Sequence, residues 1–157
     1  MESLKHILIL GIGNILMKDD GIGVHVVQQI KNRDLPSDVD IMDGGVLGLN
    51  LLYYIEGRKK VIVIDAVSVG NPPGTIYRFT EEALLEKKEL LRSAHGVDFY
   101  DVIKTAELLG TKPEEVVFIG IEPEVIDEGM EISPSLEKRI PRVIELIFME
   151  IENKIVQ

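Results

Sequence analysis

The sequence predicts an α/β fold: a single-domain three-layer sandwich, with a mostly parallel twisted sheet and helices on both faces. Three observations carry that reading. Apolar runs at 6–10, 60–64 and 116–121 are short, rich in Ile and Val, and lack polar alternation, as strands covered on both faces do. Between them lie segments with apolar residues at helical spacing. Strands and helices alternating along a chain imply parallel strands joined by helical crossovers.

The elements follow in chain order. His6 to Leu10 reads as a buried strand, with Gly11-Ile12-Gly13-Asn14 as the turn after it. A helix is expected to begin near Asp19 or Asp20, presenting Ile22, Val26, Val27 and Ile30 to the core. Val39 to Met42 is a second short strand, closed by Asp43-Gly44-Gly45. Leu47 to Glu56 has the length and leucine spacing of a helix, and Gly57 stops it. Lys60 to Ile64 is the clearest buried strand, with Asp65 at its C-terminal end. Asn71-Pro72-Pro73-Gly74 forms a turn, after which Thr75 to Phe79 alternates like an edge strand. Glu81 to Leu91 reads as helix, and a loop carrying Ser93-Ala94-His95-Gly96 follows. Asp98, with Asp101 at the third helical position, opens a helix that ends at Gly110. Val116 to Ile121 is the last buried strand. The final helix starts at Ser133-Pro134, a capping residue followed by proline at the first helical position. Its inner face is Ile140, Ile144, Ile147, Ile151 and Ile155, and Pro141 within that pattern implies a kink or a late start.

Composition narrows the function. The 157 residues are the size of one domain, and no linker, repeat or low-complexity segment divides 1–157. A net charge of −10 opposes a nucleic-acid partner, since phosphates require a basic face. The absence of cysteine excludes disulfides, thiolate metal sites and cysteine nucleophiles. The N-terminal apolar run is short and leads into glycines, unlike a secretory signal, and no apolar stretch approaches the ~18 residues of a membrane span. A cytoplasmic monomer with no membrane contact is the expectation.

Ligands of open parallel sheets bind at the carboxyl ends of the strands. That rule selects Gly11 to Asn14, Asp43, Asp65 and the His95 loop. A carboxylate at Asp65, ending a strand that should lie mid-sheet, is desolvated unless it meets a cation or several donors. Backbone amides of a capped loop could equally satisfy it. Asp20 reads either as a helix N-cap or as part of a site. Gly21 and Gly23 each cost a first helical turn about 1 kcal/mol, which fits a place where something approaches the backbone closely. Of the three histidines, His6 and His25 fall in a strand and a helix and read as structural, whereas His95 lies in a loop between small residues. A neutral imidazole beside two carboxylates suits a divalent transition metal such as nickel or zinc. Asp43, ahead of two glycines, is a turn former, a general base or a substrate-orienting group.

These residues, taken in order, resemble a known family. The run from Gly11 to Val24 (Gly-Ile-Gly-Asn-Ile-Leu-Met-Lys-Asp-Asp-Gly-Ile-Gly-Val) is similar to the N-terminal signature of the hydrogenase maturation endopeptidases. The likeness continues through Asp43-Gly44-Gly45, Val63-Ile64-Asp65-Ala66, Asn71-Pro72-Pro73-Gly74, Ser93-Ala94-His95 and Phe118-Ile119-Gly120-Ile121-Glu122-Pro123. It implies an endopeptidase that clips a C-terminal extension from the large-subunit precursor of a nickel-iron hydrogenase once nickel is inserted. The nickel is then supplied by the substrate, and no organic cofactor is implied. Carried over by motif, the metal-contacting positions are Asp20, Asp65 and His95, and Asp43 matches an acidic position implicated in catalysis. Many members carry glutamate at the position of Asp20, and some carry a hydroxyl residue at that of Val46.

Two readings from other classes stand beside this one. A nucleotide-binding module would use Gly11-x-Gly13 after a strand, but Leu16 replaces the third glycine of that fingerprint. A non-catalytic docking protein or chaperone would keep the fold and hold a hydrogenase precursor without cutting it.

Overall fold

The computed structural model describes residues 6–86 and 99–153. The chain runs β1 (Ile7–Ile12), α1 (Ile22–Ile30), β2 (Val39–Gly45), α2 (Leu52–Ile55), β3 (Lys60–Ala66), β4 (Ile76–Thr80) and α3 (Glu81–Glu86). It continues through α4 (Phe99–Leu109), β5 (Glu115–Ile121), α5 (Pro134–Glu137) and α6 (Ile140–Ile151). The strands form one sheet in the order β2-β1-β3-β5-β4. All neighbours are parallel except β4, which pairs antiparallel with β5 at the edge. The alternating Thr75 to Phe79 pattern thus marked the edge strand correctly.

The central position of β3 explains its sequence. Val61 to Ile64 are completely buried because both faces of the strand are covered, so no polar alternation is possible. Ile9, Ile62, Ile64, Val117 and Ile119 face one layer, where α1 and α6 contribute Val26, Val27, Ile144 and Ile147. Leu8, Leu10, Val61, Val63 and Phe118 face the other, against Ile55 of α2 and Ile103 of α4. Each fully buried aliphatic side chain stabilises the fold by about 1.5–3 kcal/mol. These two layers supply most of what holds the sheet.

Several elements differ from the sequence reading in extent. Gly11 and Ile12 continue β1 instead of turning, because Gly11 pairs with both Asp43 and Ile64. The segment after β2 starts as a 3-10 turn at Gly48–Leu51 and only then becomes α2, with Leu51 and Ile55 as its buried anchors. The last helix is split: α5 ends at Glu137 and α6 begins at Ile140, with Pro141 in its first turn. A proline there gives up an N–H that has no helical partner anyway, so the late start costs little. The expected continuation of α3 to Leu91, the Asp98 cap and Ile155 lie outside the described residues.

The amino-terminal edge of the sheet is closed by an ion network. Lys60, the first residue of β3, places Nζ 2.8 Å from Glu150 Oε2 and donates to the Glu150 carbonyl at 2.8 Å. It also donates to Asn153 Oδ1 at 3.2 Å, while Arg78 Nε from β4 pairs with Glu150 Oε1. Glu150 is almost completely buried. Burial alone would raise its pKa, but Arg78 and Lys60 outweigh that and hold the carboxyl below the usual glutamate range. The stability it contributes is therefore full above about pH 4.3, the unfolded value, and is lost as pH falls through the depressed folded value. Glu150→Gln is expected to cost about 3 kcal/mol in urea unfolding at neutral pH, because it leaves two cations facing a neutral amide. The gap from wild type should narrow as the pH is lowered below 4; a gap independent of pH would show that the network contributes nothing through charge.

Candidate active site

Strand order changes direction between β1 and β3. From β1 the chain crosses through α1 to β2 on one side, and β3 then adds on the other. The crevice at the carboxyl ends of those two strands is where open α/β sheets bind ligands. Asp20 and Asp65 meet there.

Glycine makes the meeting possible. A Cβ on Gly23 would lie 2.1 Å from the Ile64 carbonyl oxygen and 2.6 Å from that of Ile12, so α1 touches both strands backbone to backbone. At Gly13, with φ of +135°, a Cβ would stand 2.0 Å from the Asp20 carbonyl oxygen. The loop after β1 can therefore fold flat against the 3-10 turn Lys18–Gly21 that precedes α1. What approaches these glycines is the protein's own main chain.

Asp20 is buried, and its Oδ2 accepts the Asn14 N–H at 3.0 Å. It does not cap α1: the N-cap position belongs to Gly21, with no side-chain cap. Asp65 lies within β3, followed by Ala66, and is buried. Its Oδ1 accepts the Ala66 N–H at 2.8 Å. Burial first, and the Asp20 charge second, push the Asp65 carboxyl well above the usual carboxylate range, and the Ala66 amide only partly opposes them. Two carboxylates held together out of water are a pair that a divalent cation would neutralise, and oxygen donors of this kind fit a borderline divalent metal that also accepts imidazole.

Asp43, at the end of β2, is exposed, and its Oδ1 accepts the Gly45 N–H at 2.9 Å. It thus shapes its own turn while keeping a carboxylate open to solvent. His95 lies outside the described residues. His6 opens β1, where its carbonyl accepts the Lys59 and Lys60 amides, and His25 is half-buried on α1. Among the described residues no third His, Cys, Asp or Glu joins Asp20 and Asp65 closely enough to form a metal-holding group.

Two buried acids at this edge escaped the sequence reading. Asp19 is fully buried, and its carboxylate accepts the amides of Glu124, Val125 and Ser133 at 2.8–3.0 Å, plus the Ser133 hydroxyl at 2.7 Å. The Ser133 side chain therefore serves Asp19 and not the helix it precedes. Burial would raise the Asp19 pKa, but the bonds from Ser133, Val125 and Glu124 prevail and lower it. Glu122, at the end of β5, accepts the Val69 and Asn71 amides and the Tyr77 hydroxyl, the last at 2.6 Å. It thereby fixes the loop that leaves Asp65. For Glu122 the one signal in the sequence was its place in a familiar motif; for Asp19 there was none beyond its neighbour.

Comparison with known proteins places this geometry. A family model described as hydrogenase maturation protease matches residues 24–150. The hydrogenase expression/formation protein HupD of Rhodobacter capsulatus is 38% identical over 141 residues, covering 87% of this chain and 66% of the relative. This chain thus spans about two thirds of that relative's length. The hydrogenase 2 maturation protease of Escherichia coli is 34% identical over 143 residues, covering 90% and 87% of the two chains. The solved structure of the Escherichia coli hydrogenase maturating endopeptidase HybD superposes with a TM-score of 0.88 at 31% identity, covering 94% of this chain and 93% of that one.

Asp19 and Asp65 should respond in opposite ways to removal of their charge. Asp19→Ala leaves buried amides without acceptors and is expected to destabilise the fold by about 3 kcal/mol or more in chemical denaturation. Asp65→Asn should raise the melting temperature of chelator-treated protein at neutral pH, by about 2–4 °C per kcal/mol of relieved repulsion. The sign follows from linkage: a carboxyl whose folded pKa is raised loses stability as pH climbs through that value, and asparagine has no such loss. An Asp65→Asn protein that melts below wild type would show the carboxylate to be structural.

Proposed function

This chain belongs to the hydrogenase maturation protease family, and on that premise we propose that it removes the C-terminal extension of a nickel-loaded nickel-iron hydrogenase large-subunit precursor. The observation that carries the proposal is the buried Asp20–Asp65 pair at the switch point of the sheet. Two carboxylates buried side by side oppose folding unless positive charge meets them, which supports a site that receives a cation.

In this reading the nickel belongs to the precursor and is part of what is recognised. Asp20 and Asp65 offer it anionic oxygen, and His95 offers neutral nitrogen, a donor set suited to nickel. When bound, nickel supplies Lewis acidity near the scissile peptide. Docking through the metal places that peptide at the carboxyl edge of the sheet, within reach of β2. Asp43 acts there as general base: with Oδ1 engaged by Gly45, Oδ2 takes the proton of the attacking water. The water oxygen bonds to the peptide carbon, the C–N bond breaks, and the proton passes to the departing amine. An empty precursor lacks the cation that makes the acid pair a favourable contact, so it docks poorly.

The test is to incubate the pure protein with nickel-loaded and nickel-free precursor large subunits and follow their mass. Loss of a short C-terminal peptide from the loaded form alone is expected. Cutting of both forms would remove nickel from the recognition. A precursor that binds and is never cut would favour the docking-protein reading. Asp65→Asn should abolish cleavage while circular dichroism shows the fold intact. Asp43→Asn should lower kcat by about 10²-fold or more and leave precursor binding in place.

A further inference from the structure

We propose that segment 124–131, together with Leu16, is the surface on which the precursor docks, and that it takes a polypeptide segment whose apolar side chains are flanked by lysine or arginine. The inference rests on the substrate reading above and adds the chemistry of the contact.

Val125, Ile126 and Met130 are 37%, 43% and 61% exposed, and Leu16 is 58% exposed. Backbone pairing makes them neighbours. Lys18 N–H donates to the Gly129 carbonyl at 2.8 Å, Gly129 N–H to the Leu16 carbonyl at 2.9 Å, and Asp19 N–H to the Val125 carbonyl at 3.1 Å. Large apolar side chains gathered and exposed beside one another mark a contact surface.

The patch is also held still. The Asp19 carboxylate fixes the amides of Glu124 and Val125 at one end and Ser133 at the other. Side chains presented on a backbone that is already bonded cost little ordering entropy when a partner arrives. The same turn carries Asp20. Leu16 N–H bonds to Asn14 Oδ1, and Asn14 N–H to Asp20 Oδ2, so the patch is continuous with the candidate active site.

Charge selects the partner. Glu124, Asp127, Glu128 and Glu131 are exposed among the apolar side chains. No lysine or arginine occurs in the sequence between Glu122 and Glu137, and Lys18 lies along Gly129. An apolar surface bordered by carboxylates attracts a segment of opposite charge and rejects an acidic one. That segment lies on the precursor beside the tail to be removed.

The test combines two variants and a control, assayed on nickel-loaded precursor by calorimetric binding and by mass. The triple variant Val125→Ser/Ile126→Ser/Met130→Ser should raise Kd and KM about tenfold or more, hold kcat at saturation, and melt as wild type does. The charge reversal Asp127→Lys/Glu128→Lys should raise KM and flatten the salt dependence of binding. Leu108→Ser, at an exposed position on the end of α4 remote from this edge, should change neither quantity. Wild-type Kd in the triple variant, or an unchanged salt dependence in the charge reversal, would overturn the proposal. If the wild-type chain binds the precursor without cutting it, the proposed activity fails, while weaker binding by the triple variant still supports the docking surface.

Discussion

Helix α1 lies on the sheet with its backbone against the carbonyl oxygens of Ile64 and Ile12, an approach only glycine at position 23 permits. The helix start is thereby pinned to the two strands between which the strand order reverses. The 3-10 turn ahead of it, carrying Asp19 and Asp20, is pinned with it. Were the helix an ångström or two farther out, Asp20 would reach solvent and Asp65 would lose its charged neighbour. The acid pair follows from that one close contact.

Three buried acids within a few residues of the site show how environment decides role. Asp19 accepts four hydrogen bonds and is held ionised. Glu122 is likewise satisfied by two amides and a tyrosine hydroxyl. Such carboxylates stabilise the loops they bind, because each bond to a charged acceptor contributes about 1.5–3 kcal/mol. Asp65 is buried, meets the repulsion of Asp20 and has the Ala66 amide in partial compensation, so its pKa moves the other way. The satisfied acids build the frame, and the strained one carries the candidate chemistry.

The two edges of the sheet divide the work between stability and function. At the amino-terminal edge, Lys60, Arg78 and Glu150 pair opposite charges and anchor α6. At the carboxyl edge, the like charges of Asp20 and Asp65 are brought together. Beside them stands a loop that exposes apolar side chains while its backbone is tied down by Asp19. The proposed recognition of a metal inside another polypeptide would draw on both: anionic donors for the ion and a firm surface for the chain that carries it. Membership of the hydrogenase maturation protease family accords with this arrangement.

Much of this was legible from one end of the chain to the other. The strands at 60–64 and 116–121, the edge character of Thr75 to Phe79 and the helical face of Ile22 to Ile30 appeared as local periodicity, which burial imposes residue by residue. Asp65 stood out because an ionisable side chain ends an otherwise apolar run, and Gly23 because it weakens a helix without local reason. For Asp20 the pattern left a helix cap and a site residue both open, and it does not cap α1; Ser133 looked like a cap and serves another residue. The layers, the mostly parallel sheet and the edge that holds the candidate site could be read from the residues alone, since those depend on patterns repeated over neighbouring residues. Which acids are held by several donors, as Asp19 and Glu122 are, and which face another carboxylate emerged from contacts between distant segments. Asp19 and Ser133 are 114 residues apart, and a hydrogen bond closed across that distance leaves no periodicity in either segment.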